Sequence, residues 1–90
     1  MVSPFPEDLE IEFPTECHFK VIAYDLEGVH KNLNKCLIDL DLPNHAFQPS
    51  NKSKHGKYIS YETSIVVESH SRMTEIDAAI RSVEGVKMVL

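Results

Sequence analysis

A chain of 90 residues, 42% hydrophobic and without tryptophan, fills one modest two-layer core and leaves no room for a second domain or a deep enclosed active site. The net charge of −5 is concentrated in residues 1–12, where Glu7, Asp8, Glu10 and Glu12 stand with no base; residues 13–90 carry ten acids and nine bases, so counterion release gives little drive toward nucleic acid. No apolar run approaches the roughly 20 residues of a membrane-spanning helix, and the opening Met-Val-Ser-Pro-Phe-Pro-Glu-Asp lacks the basic and apolar regions of a signal peptide, which reads as a cytoplasmic, non-membrane protein.

Residues 1–12, with two prolines and a poor apolar period, are expected to form a flexible acidic arm ahead of a single domain at 13–90. From Glu16 to Tyr24, Cys17, Phe19, Val21 and Ala23 alternate with His18, Lys20, Ile22 and Tyr24, the period of a strand with one buried face. Asp25 then suits a helix N-cap, and Leu26, Val29, Leu33, Cys36, Leu37 and Leu40 recur at helical spacing up to a stop at Pro43 and Asn44. Glu27 fits the positive end of that helix and stands four residues before Lys31, in the favourable order for an ion pair.

Ala46 to Lys52 reads as a strand that Pro49 confines to a sheet edge, because proline donates no ladder hydrogen bond. A polar hairpin through Gly56 follows, and then the clearest strand, Tyr58 to Glu68, with Ile59, Tyr61, Thr63, Ile65 and Val67 on one face. Ser71 is placed to cap a second helix with the stripe Met73, Ile76, Ile80 and Val83, Glu84 and Gly85 end it, and Val86 to Leu90 forms a short last strand. This order predicts an α+β, ferredoxin-like βαββαβ sandwich, its antiparallel sheet ordered 4-1-3-2 with both helices on one face.

No HExxH, GxSxG or P-loop pattern is present, so the reading is of a non-enzyme without a cofactor. The histidines at 18, 30, 45, 55 and 70 share no i, i+2 or i, i+4 spacing, and they read as surface or edge residues with no metal site. Cys17 and Cys36 fit no CxxC pattern, and rise per residue leaves Cys36 roughly 8 Å short of the level of Cys17, too far for an unstrained disulfide.

Two places invite binding. Asp25 and Gly28 flank the start of the first helix, where a glycine lets a ligand approach amides that have no internal partner; a tolerated glycine is the plainer explanation. On the sheet face opposite the helices, Ile22, Tyr24, Tyr58 and Val66 are left for an unknown protein partner or a second copy to cover. Lys52, Lys54, His55 and Lys57 read as a solvated loop before an anion contact. Tyr58-Ile59-Ser60-Tyr61 is similar to the end of the third-strand signature of RNA recognition modules, but the upstream positions do not follow and the first strand offers no second aromatic platform, so nucleic acid is the distant alternative.

Phe13-Pro14-Thr15, Phe19-Lys20-Val21, Gln48-Pro49-Ser50, Lys54-His55-Gly56-Lys57-Tyr58 and the ending Val86-Lys87-Met88-Val89-Leu90 occur in order, and the chain resembles the bacterial YbeD-like family across about Phe13 to Leu90. That resemblance implies a ferredoxin-like fold close to the ACT regulatory domains and a regulatory or ligand-sensing role with a suggested link to lipoate. It also implies a small-molecule site at the turn holding Asp25 and Gly28. Glu27 stands where the ACT turn commonly has proline, a departure that bears on amino-acid binding.

Overall fold

The computed structural model describes residues 12–52 and 56–90; the expected arm up to Ile11, and Lys54 and His55 of the hairpin, lie outside the described residues. The elements run β1 (Thr15–Tyr24), α1 (Val29–Asp39), β2 (Gln48–Lys52), β3 (Tyr58–Val67), α2 (His70–Arg81) and β4 (Val86–Val89). The strands form one antiparallel sheet ordered β2-β3-β1-β4, the ferredoxin-like arrangement, with the Pro49 strand at its edge as the missing donor requires. Among the described residues, no helix is long and apolar enough to cross a membrane.

Register explains why the core has one side. Phe19 lies opposite Thr63, Val21 opposite Tyr61 and Ala23 opposite Ile59, so alternate residues of the two central strands share one face. Val29, Leu33 and Leu37 of α1 and Ile76 and Ile80 of α2 pack into the same cluster, which puts both helices on that face. Phe47, ahead of β2, is also fully buried there.

Both helices start elsewhere than the sequence suggests. The N-cap of α1 is Gly28, with φ of 90°, and not Asp25; Leu26 is therefore outside the helix and 60% exposed. Glu27 stands in the preceding turn, and the expected Glu27–Lys31 pair does not form, because an i, i+4 contact needs both residues on the helix. The stop also comes before Pro43: Leu40 is the C-cap, Asp41 takes φ of 66°, and the N–H groups of Asp41 and Leu42 donate to the carbonyls of Ile38 (3.0 Å) and Leu37 (2.8 Å), a Schellman closure without glycine. Arg72 of α2 donates to the Leu40 carbonyl, placing a cation at the negative end of α1.

The cap of α2 is Ser69 and not Ser71. Its backbone is extended, which leaves Oγ free to accept the Arg72 N–H at 3.1 Å, whereas Ser71 is already inside the helix. The two cysteines are separate half-buried thiols, and Cys17 Sγ lies 3.7 Å from Met73 Sδ.

Candidate functional site

Three connections meet at the end of the sheet where β1 finishes and β3 and β4 begin. The Tyr24 N–H donates to the Gly85 carbonyl and the Asp25 N–H to the Lys57 carbonyl, both at 2.9 Å, so the turn after β1 is held by the connection before β4 and by the hairpin. Asp25 carries its carboxylate to Lys52 Nζ at 3.3 Å, a pairing across the hairpin that replaces its expected capping role. Gly28 has a left-handed φ that side chains rarely adopt, and nothing lies within 4 Å of where its Cβ would stand. No side chain caps the start of α1, and the Val29 N–H donates to the Leu26 carbonyl at 3.4 Å.

Asp25 and Gly28 thus share one turn, with Asp25 tied to Lys52 and Gly28 beside open space.

The four residues expected on the open sheet face separate into two groups. Tyr24 lies directly opposite Tyr58, with ring centroids 5.2 Å apart and planes at 39°. Ile22 neighbours them and pairs with Met88, which is 43% exposed. A bulge between Ile22 and Ala23 shifts the register of β4. Lys87 reaches over both rings, its Nζ 5.8 Å from the Tyr24 centroid and 5.5 Å from that of Tyr58, and Lys57 Nζ lies 5.5 Å from the Tyr58 centroid. Val66 pairs with Glu16 at the far end, and the polar residues His18, Lys20, Glu62 and Ser64 lie between the groups. The first strand therefore does supply a second aromatic beside Tyr58, contrary to the sequence reading, because antiparallel register sets its last residue against the first residue of β3.

Midway along the same face, His18 Nδ1 is 3.1 Å from Ser64 Oγ and His18 Nε2 is 2.7 Å from Glu62 Oε1. Nothing local in the sequence marks this row, because its members are 44 and 46 residues apart and occupy the polar phase of two strands. It resembles a serine, histidine and carboxylate relay laid across two directly paired strands. Hydrogen bonds from Ser50 and then from His18 hold the Glu62 carboxyl below its ordinary range.

His30, expected at the surface, is half-buried and structural. Its Nε2 meets the Phe47 carbonyl at 2.6 Å and its ring lies 4.7 Å from that of Tyr61, while Asn34 Oδ1 accepts the Phe47 N–H at 2.8 Å. Burial, then the Asp25 charge, raises the Tyr61 hydroxyl above its ordinary value. Among the described residues, no group of three or more His, Cys, Asp or Glu side chains is placed to hold a metal ion.

Comparison with known proteins gives a consistent picture. The family described as "Protein of unknown function (DUF493)" matches residues 8–90. A UPF0250 protein of Pseudomonas entomophila is 33% identical over 82 residues, 90% of each chain. One of Pseudomonas putida strain W619 is 32% identical over 91 residues, the whole of both chains. The solution structure of protein HP0495 from H. pylori superposes with a TM-score of 0.76 at 24% identity, covering 99% of this chain and 98% of that one. The ACT domain from GTP pyrophosphokinase of Chlorobium tepidum gives a TM-score of 0.64 at 17% identity, over 83% of this chain and 94% of that one. Both structural likenesses speak to fold.

Proposed function

The chain belongs to the DUF493 family, the YbeD-like group its sequence resembles, and on that premise we propose that it is a non-enzymatic regulatory module sensing a small molecule at the turn between β1 and α1. The observation that carries this reading is Gly28: a left-handed residue at a helix start without a side-chain cap, with open space where a side chain would be. The amides of Tyr24 and Asp25 donate to the carbonyls of Gly85 and Lys57, which braces the turn against two other connections. The fold shared with the ACT domain of a GTP pyrophosphokinase supports a regulatory role. A cytoplasmic setting is part of the same proposal, and lipoate stays among the ligands to test.

A thermal-shift panel of amino acids, lipoate, and lipoyl and octanoyl compounds tests the proposal. A ligand at 100 times its Kd stabilises the folded state by about 2.7 kcal/mol, a readily measured rise in Tm. The reading requires at least one such rise at millimolar ligand, and its loss in Gly28→Val, whose side chain fills the open space. Uniform absence of stabilisation across the panel defeats it.

A further inference from the structure

We propose that the open sheet face carries a second site, at Tyr24, Tyr58 and Lys87, for a mononucleotide-sized ligand: one planar heteroaromatic ring bearing an anionic group. This site lies on the face away from the helices and does not depend on the turn at Gly28.

Two tyrosines from adjacent strands, 5.2 Å apart, present ring surface at the end of the sheet. Both residues are half-buried and rest against each other, so the rings are positioned before anything binds. Beside them runs a shallow open groove with Ile22 and Met88 along it and Asn51 and Lys52 at its rim. A flat ring suits that shape, since stacking needs one exposed face and tolerates variation in the base.

Charge narrows the ligand. Lys87 holds its ammonium over both rings, and among the described residues no acidic side chain pairs with it. Lys57 Nζ also lies 5.5 Å from the Tyr58 centroid, and Lys52, which lines the groove, is engaged by Asp25. An anion attached to a stacked ring meets Lys87 at the distance the cation–π contacts already set. Farther along the face the charges are mixed, with Lys20 opposite Glu62 in the middle and Glu16 at the end, so no run of cations continues for the successive phosphates of a longer strand. Among the described residues this face offers no row of unpaired cations for an acidic peptide, since Lys52 is held by Asp25 and Lys20 stands opposite Glu62. One ring with one anionic group is what remains.

Titration of the labelled full chain with AMP, followed by the ring protons of its three tyrosines in NMR spectra, tests the assignment. Stacking moves the Tyr24 and Tyr58 ring signals upfield with a Kd on the order of 1 mM, while Tyr61, buried under the helices, stays still. Inorganic phosphate at equal concentration leaves the ring signals in place, Lys87→Gln weakens AMP roughly 3-fold to 10-fold, and Tyr58→Leu weakens it at least as much with the Tyr61 signals unchanged. A six-residue adenylate binds within a few-fold of AMP. The proposal is overturned if AMP at 20 mM, roughly 20 times the expected Kd, leaves Tyr24 and Tyr58 unmoved. Equal binding by Lys87→Gln and the parent chain, an oligonucleotide binding orders of magnitude more tightly than AMP, or a second copy covering both rings in solution would overturn it as well.

Discussion

Gly85 lies against Val29 so closely that a Cβ on the glycine would stand 2.7 Å from Val29 Cγ2, and the same residue's carbonyl accepts the Tyr24 N–H. The first residue of α1 thus seats on the connection into β4. Gly28 has a comparable φ with empty space beside it, so the two glycines separate backbone strain from packing. Gly28→Ala is expected to cost about 1 kcal/mol from φ alone, and Gly85→Ala about 2–4 kcal/mol because a clash is added. Urea unfolding of both variants checks the order.

Phe47 is anchored by its backbone. Asn34 accepts its N–H and His30 meets its carbonyl, which turns the ring inward to full burial just before the edge strand. Phe47→Ala should lose about 3–5 kcal/mol by opening a cavity in the core. Asn34→Ala should lose about 1–3 kcal/mol by orphaning a buried amide. Denaturation midpoints at constant m-value give both numbers.

The Glu62 carboxyl is held below its ordinary value of 4.5, first by Ser50 and next by His18. A carboxyl whose pKa is lower folded than unfolded adds stability above its unfolded pKa, and that stability is lost as pH falls through the folded value. The stability difference between the parent chain and Glu62→Gln should therefore be constant near neutrality and shrink below about pH 4.5. Parallel urea melts from pH 7 to pH 3 measure it, and a difference that grows on acidification would contradict the assignment.

Burial, and then the neighbouring Asp39, raises the Cys36 thiol above its ordinary 9.0. In a Cys17→Ser background, alkylation of Cys36 at pH 8 should run slower than that of a free thiol, because less thiolate is present. Asp39→Asn should speed it modestly. The rate against pH locates the titration.

The sequence made the two central strands legible because their apolar residues keep strict alternation: Phe19, Val21 and Ala23 in one, Ile59 through Val67 in the other. The element order gave the strand order, and Pro49 agreed with it by confining its strand to an edge. What it concealed lies in contacts between distant segments. Asp25 has the composition of an N-cap, yet Lys52 and the Lys57 carbonyl take its side chain and amide, and the helix waits for Gly28. Phe47 fell outside any local period, since residues 13 and 17 positions earlier hold it in place. Tyr24 and Tyr58 were both read on the open face, but their juxtaposition, and the arrival of Lys87 above them, depend on strand register and on a bulge.

Amide chemical-shift mapping with a stabilising compound from the ligand panel tests the central claim most directly. Binding at the turn should move the amides of Asp25 through Val29, together with Lys57 and Gly85, whose carbonyls hold that turn. Shifts confined to α2 or to the far end of the sheet around Val66, with the Gly28 amide unmoved, would contradict it.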